Sequence, residues 1–175
     1  MLKDAQISQR LSKIKLLAMD VDGTLTDSAM YYSARGEEMK RFSTRDGMGI
    51  TLLHKGDIGT AIISSESSPI VSARADKLKI KHVILGCRDK SSAIRELALS
   101  VGLDLSEIAF IGDDINDEHI MKIVGFSACP ADAVELIKST ADYNCTLNGG
   151  YGAVREFAEM ILIAQNKVIN IQEQW

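Results

Sequence analysis

The sequence predicts an α/β fold: a doubly wound, mainly parallel sheet with one β-hairpin inserted near its start. Short apolar runs bounded by turn residues read as buried strands, and segments with helix start and stop signals alternate with them. That alternation implies a sheet covered on both faces by helices. Several of the apolar runs end on acids or a hydroxyl, at the sheet edge where open α/β folds hold their ligands.

Residues 3–13 read as a short amphipathic helix. The run Leu16-Leu17-Ala18-Met19 reads as the first buried strand and ends in Asp20-Val21-Asp22-Gly23-Thr24. In extended backbone residues i and i+2 share one face, which places Asp20 and Asp22 together. Two neighbouring acids repel, and a hard divalent cation such as Mg2+ would offset their charge. Gly23 permits a tight turn and a close backbone approach. Residues 30–42 hold two β-prone runs around a Gly-containing turn, which reads as a hairpin. Asp46-Gly47 introduces a helix at about 48–54, stopped at Gly56. Residues 58–63 form the next strand, ending on Ser64-Ser65-Glu66. Ser68-Pro69 starts a helix that runs to about Leu78, with Ser at the cap and Pro at the first position. A short strand at 82–85 follows. Asp89-Lys90 then opens a helix ending near Gly102. The strand at 108–111 stops at Gly112-Asp113-Asp114, and a helix follows to Val124 with Gly125 beyond its end. A strand at 126–129, a helix at 132–139 and a strand at 142–146 come next. Gly149-Gly150 precedes a final helix at about 152–166, and the tail 167–175 is left unassigned.

The 175 residues suit one domain, 1–175, with a proper core. Hydrophobic residues at 46% and charged residues at 25% indicate a globular chain. A net charge of -4 without a basic run argues against a nucleic-acid partner or an anionic membrane. No apolar segment approaches the roughly 20 residues that span a bilayer. The polar N-terminus is unlike a signal peptide. Cys87, Cys129 and Cys145 are odd in number and widely spaced, fitting neither a disulfide framework nor a zinc site. Reduced thiols and a cytoplasmic location are the expectation.

Four polar sites punctuate the strand ends or the helix starts that follow: Asp20 with Asp22, Ser64, Lys90, and Asp113 with Asp114 and Asp117. In a doubly wound sheet such sites converge on one edge. Acids suit a metal, while Ser and Lys suit the oxygens of a phosphoryl group. A carboxylate can also attack phosphorus. Singly, each has a plain explanation: Ser64 as a cap hydroxyl, Lys90 as a solvated charge, Asp117 as an acid at a helix start. The weight lies in the ordered set.

That set resembles the four motifs of the haloacid dehalogenase-like phosphatases: D-V-D-G-T at Asp20, I-I-S at Ser64, D-K at Lys90 and G-D-D-x-x-D from Gly112 to Asp117. The resemblance implies a Rossmann-like sheet and an aspartyl-phosphate route. It makes Asp20 the nucleophile and Asp22 the general acid and then base. It gives Ser64 and Lys90 the phosphoryl oxygens, and Asp20, the Asp22 main-chain carbonyl and Asp113 the Mg2+ ion. Asp117 would orient the metal's surroundings.

The stretches Y-Y-S-A-R-G-E-E-M-K-R-F, R-D-G-M-G-I, G-D-D-I-N-D and G-G-Y-G-A-V-R-E are similar to the 3-deoxy-D-manno-octulosonate 8-phosphate phosphatase family. That family lacks a cap domain, and the short intervals from Asp22 to Ser64 and from Ser64 to Lys90 agree. It implies a homotetramer with shared active sites, in which the hairpin of one subunit covers the site of a neighbour. One departure stands out. The octulosonate enzymes usually read T-G-R where this chain has Ser64-Ser65-Glu66. The acid resembles the branch acting on 2-keto-3-deoxynonulosonate 9-phosphate, and Glu66, Arg74 and Lys77 match residues of that branch that touch substrate. Arg74 and Lys77 are i, i+3 on one helix face, and as a cationic pair they would suit a sugar-acid carboxylate. A surface salt-bridge group is the plain alternative.

Two other classes remain to be weighed. I-S-S-E and A-V-R-E-F-A-E are also similar to the C-terminal domain of CMP-sialate synthetases, a non-catalytic oligomerisation module. The retained Asp20, Asp22, Lys90 and Asp113 count against it. A phospho-receiver domain also combines acids, a hydroxyl and a Lys on a parallel sheet, but it keeps its phosphoacceptor on a later strand and lacks G-D-D-x-x-D.

Overall fold

Four consecutive apolar residues, Leu16–Met19, form strand β1, which is buried along its whole length. A strand with no polar face belongs inside a sheet covered on both sides. The computed structural model describes residues 5–167 and places β1 there. Residues 3 and 4 of the expected first helix, and 168–175 of the tail, lie outside the described residues. After β1 come a two-stranded antiparallel hairpin of β2 (Tyr31–Ser33) and β3 (Gly36–Met39). Then follow β4 (Gly59–Ile63), β5 (His82–Ile84), β6 (Ile108–Ile111), β7 (Phe126–Cys129) and β8 (Tyr143–Asn144). Six strands form one sheet in the order β5-β4-β1-β6-β7-β8, parallel throughout.

The helices are α1 (Ala5–Leu11), α2 (Thr44–Lys55), α3 (Pro69–Leu78), α4 (Lys90–Val101), α5 (Glu118–Met121), α6 (Glu135–Thr140) and α7 (Ala153–Ala164). Side chains alternate across a strand, and β1 divides its own between two cores. Leu17 and Met19 join Ile50, Leu53, Val71, Phe157 and Ile161 from α2, α3 and α7. Leu16 and Ala18 join Ile94, Leu97, Ile120 and Ile137 from α4, α5 and α6. This is the doubly wound arrangement that the alternation of elements predicts. The interval between Asp22 and Ser64 holds the hairpin and α2, with no cap domain.

The strand order reverses at β1. The chain runs outward from β1 through β4 to β5, then returns to β6 on the other side of β1. Ligands bind beyond the carboxyl ends at such a reversal. Met19 is level with Ile111, and the Asp20 N–H donates to the Ile111 carbonyl at 2.9 Å. The turns after β1 and β6 therefore start side by side.

Several elements differ from the sequence reading, among them α6, which starts at Glu135 rather than at 132. α2 begins at Thr44 rather than near Met48, because the Ser43 hydroxyl accepts from the Arg45 and Asp46 N–H groups and caps it earlier. Gly47 and Gly49 then lie inside the helix. A Cβ at Gly47 would meet the Arg74 guanidinium at 2.6 Å, and one at Gly49 would meet the Arg155 Cα at 2.9 Å. These glycines permit close packing against α3 and α7. The expected helix up to Val124 is a 3-10 turn at Ile115–Asp117 and then the short α5. The β8 strand is shorter than the 142–146 expected.

Candidate active site

The extended backbone stops at Met19, and the chain turns at once. The Val21 carbonyl accepts from the Thr24, Leu25 and Thr26 N–H groups. The Asp20 and Asp22 side chains therefore take separate cationic partners, instead of simply lying side by side along a strand. Lys90, the first residue of α4, is buried and donates to Asp20 Oδ1 at 2.7 Å and to Asp117 Oδ1 at 2.6 Å. Asp117 is fully buried, and its Oδ2 accepts from the Asp113 N–H at 2.9 Å and the Asp114 N–H at 3.4 Å. The Asp113 carboxylate accepts from the Thr24 hydroxyl at 3.1 Å.

This cluster carries more negative than positive charge. Carboxylate oxygens of Asp20, Asp113 and Asp117 lie within 4.8 Å of one another, and one ammonium faces them. Burial pushes the Asp20 pKa up to about 7, aided by Asp117 and opposed by Lys90. Burial, with Asp20 and Asp117 next, pushes Asp113 up to about 8. Buried carboxylates this close together resist ionising side by side. The donor set, all hard oxygen, fits Mg2+. Both Asp117 oxygens are engaged by hydrogen bonds, which leaves Asp20 and Asp113 as the acids with an oxygen to offer.

Asp22 takes a different cation. Its Oδ1 lies 2.5 Å from Lys40 Nζ, and Lys40 also donates to Glu37 Oε1 at 2.7 Å. Burial works against the Lys40 charge, but the hydrogen bonds to Asp22 and Glu37 prevail and hold its pKa above the usual lysine range.

Ser64 directly follows β4, is buried, and its hydroxyl accepts the Glu66 N–H at 3.2 Å. A cavity of about 230 Å³ is lined by Asp20, Asp22, Ser64 and Glu66, with Met30 from the hairpin side and Asn116 from the turn after β6. Lys90 stands behind it, against Asp20. Arg74 and Lys77 are not brought to this cavity. The Arg74 guanidinium donates to the Ser43 carbonyl at 3.2 Å and lies over the Phe42 ring. Lys77 is exposed on α3.

A family model of haloacid dehalogenase-like hydrolases matches residues 86–157. The 3-deoxy-D-manno-octulosonate 8-phosphate phosphatase of Yersinia pestis is 41% identical over 162 residues, spanning 93% of this chain and 87% of the relative. The chain belongs to the 3-deoxy-D-manno-octulosonate 8-phosphate phosphatase family. It is accordingly a phosphoric monoester hydrolase. The crystal structure of the Yersinia pestis enzyme matches with a TM-score of 0.91 at 40% identity, over 93% of this chain and 88% of that one. That of the Moraxella catarrhalis enzyme, in complex with magnesium, phosphate and a KDO molecule, matches with a TM-score of 0.89 at 42% identity, over 92% of each chain.

Within this octulosonate phosphatase framework, the sequence reading missed Lys40, Thr24 and Asn116. Lys40 lies in a polar hairpin and gives no sign that it turns inward. Thr24 is two residues beyond Asp22, and its partner Asp113 is remote in sequence. Asn116 lies inside G-D-D-x-x-D, and its amide donates to the Ser65 hydroxyl at 3.2 Å, so that motif held the only usable signal.

Proposed function

We propose that this chain is a Mg2+-dependent phosphatase that cleaves a phosphorylated 3-deoxy-2-ulosonic acid by attack of Asp20 on phosphorus. The observation that carries the reading is the placement of Asp20, Asp22 and Ser64 around one cavity, with Lys90 bonded to Asp20 behind it. Lys90 holds one oxygen of Asp20, which leaves the other for attack. The bond from Asp20 to phosphorus forms as the bond from phosphorus to the sugar oxygen breaks. Asp22 gives that oxygen its proton and then takes one from the water that releases phosphate. The Ser64 hydroxyl and the Lys90 ammonium bind the phosphoryl oxygens, where negative charge gathers. Bound Mg2+, held by Asp20, the Asp22 main-chain carbonyl and Asp113, supplies further positive charge there. Asp117 orients Lys90 and the 113–114 turn.

The curated relatives support octulosonate 8-phosphate as the substrate. Glu66 favours a second reading, nonulosonate 9-phosphate, because an acid lines the cavity where the eight-carbon enzymes usually carry arginine. In this reading Arg74 and Lys77 serve the substrate carboxylate, which requires a contact beyond the cavity of a single chain. A homotetramer with shared sites belongs to the same proposal. Met30, Tyr31, Tyr32 and Met39 are 45%, 44%, 64% and 59% exposed on the hairpin arm, and a two-stranded ribbon with apolar flanks gains stability by packing on something. A single domain, 1–175, is supported by two cores that share one sheet. No helix of the described residues is long and apolar enough to cross a membrane. A cytoplasmic location is supported by three free cysteines.

The test is phosphate release with and without Mg2+ from octulosonate 8-phosphate, nonulosonate 9-phosphate and generic sugar phosphates, compared by kcat/KM. Release from one ulosonic ester far above the rest is expected. No Mg2+-dependent release from any would return the chain to the assembly-module class.

A further inference from the structure

We infer that Lys40 is a positioning residue for Asp22, fixing the carboxylate that exchanges the proton with the leaving group. The inference rests on the reading of Asp22 as general acid and base.

Lys40 follows β3 at the base of the hairpin arm. A lysine there can extend its ammonium into solvent while its stem packs. This one instead turns inward, and its side chain is 0% exposed. Burying an ammonium is costly unless acids and hydrogen bonds receive it. Here two acids do, Asp22 Oδ1 at 2.5 Å and Glu37 Oε1 at 2.7 Å. Glu37 is itself anchored, its Oε2 accepting from the Ser68 hydroxyl at 2.5 Å. Ser68 is the N-cap residue of α3. Lys40 is therefore braced by both the arm and α3, and it delivers that rigidity to a single oxygen of Asp22.

The other oxygen of Asp22, Oδ2, is buried and has no hydrogen-bond partner among the described residues. Asp22 lines the same cavity as Asp20 and Ser64. With Oδ1 clamped, the carboxylate cannot rotate, and Oδ2 is the oxygen left to hand a proton to the sugar oxygen or receive one from water. A proton donor has to stand within hydrogen-bond reach of its target, and a misplacement of about 1 Å can cost about 10²-fold in rate. The hairpin arm thereby serves the site of its own subunit, whatever it also does for a neighbour.

The experiment compares two small aryl esters that differ chiefly in leaving-group acidity, phenyl phosphate and p-nitrophenyl phosphate, at saturating Mg2+. Phenolate is the poorer leaving group and needs the proton; p-nitrophenolate leaves without it. The readout is kcat/KM, which covers the steps through departure of the leaving group and not the water step that both esters share. Lys40→Met should lower it for phenyl phosphate on the order of 10²-fold and for p-nitrophenyl phosphate by no more than about threefold. Lys40→Arg, which keeps a cationic donor, should recover most of the loss. Asp22→Asn should show the same discrimination in kcat/KM, with kcat lowered for both esters because the water step loses its base. Adding Lys40→Met to it should cost nothing further, because the two act as a unit. Equal losses on both esters in Lys40→Met, or additive losses in the double variant, would overturn the role of Lys40. Absence of discrimination in Asp22→Asn itself would instead remove the acid–base reading, and the inference with it. Should Lys40→Met not fold, Glu37→Gln loosens the same clamp with Lys40 in place. Loss confined to phenyl phosphate then supports the inference, and loss on neither or on both counts against it.

Discussion

The Thr24 hydroxyl donates to Asp113 Oδ1 at 3.1 Å and joins the turn after β1 to the turn after β6. Each turn contributes an acid to the proposed ion site, and this bond sets the angle of one of them. Thr24→Val keeps the shape and removes the donor. Mg2+ affinity should fall about 10- to 100-fold, the usual cost of losing a partner of a metal ligand. Asp113→Ala should cost more, and EDTA should inhibit the native enzyme reversibly. Titration calorimetry with Mg2+ measures both variants; unchanged affinity in Asp113→Ala would move the ion elsewhere.

Asp20→Asn should abolish turnover. The amide keeps the shape and leaves Lys90 with Asp117 as its remaining acid, but it loses the attacking charge. Phosphate release by the purified variant should fall to the background level. Near-native release would end the aspartyl-phosphate route.

Substrate choice should respond to the cavity rim. Glu66→Arg should shift the ratio of kcat/KM away from nine-carbon acids, by about 1–3 kcal/mol if Glu66 accepts a substrate hydroxyl. Removal of the hairpin tip, residues 33–36, should harm a long sugar-acid phosphate more than p-nitrophenyl phosphate, since only the long substrate uses remote contacts. An unchanged ratio in Glu66→Arg would retire the nine-carbon reading. A fully active monomer in sedimentation would retire the shared site.

A pH-dependent part of the stability should trace to Arg10 and Asp142. The guanidinium donates to both Asp142 oxygens at 2.6 and 2.8 Å and to the Gly125 carbonyl, tying α1 to the β7–β8 side of the sheet. Burial raises the Asp142 pKa, but the Arg10 and Ser127 hydrogen bonds outweigh it and hold the group below the usual aspartate range. A depressed folded-state pKa gives stability that is complete above the unfolded value, about 3.9, and that is lost as pH falls through the folded value. Asp142→Asn should cost about 1 kcal/mol near neutrality, a modest figure because Arg10 is half exposed. The gap between native and variant should close in acid. Urea melts at a series of pH values test this; a gap that widened in acid would reverse the assignment.

The strands and the four strand-end motifs were legible because both depend on local pattern. Leu16–Met19 reads as an interior strand, Asp20 and Ser64 directly follow such runs, and Asp113 follows one across Gly112. The hairpin and the crossover helices followed from the same punctuation. The rest depended on partners distant in sequence. Gly47 reads as the entry to a helix, yet it lies inside α2, where it lets the Arg74 guanidinium pack close. Lys40 reads as solvated until Asp22, eighteen residues earlier, is found against it. The i, i+3 spacing of Arg74 and Lys77 was sound, but spacing does not say where a helix face points, and here Arg74 turns to Ser43 and Phe42.

The reversal of strand order at β1 also separates what can vary from what cannot. Asp20 and Asp113 follow the central strands β1 and β6, and Lys90 is buried between Asp20 and Asp117, so each constrains the next. Glu66 and Met30 hang from a loop and an arm that cross no core. Exchanging Glu66 and the hairpin tip, residues 33–36, between relatives should therefore transplant substrate preference, while Ser64, Glu37 and Lys40 stay in place and the phosphoryl-transfer chemistry stays intact. Diversification of such a scaffold would proceed by redecorating its rim.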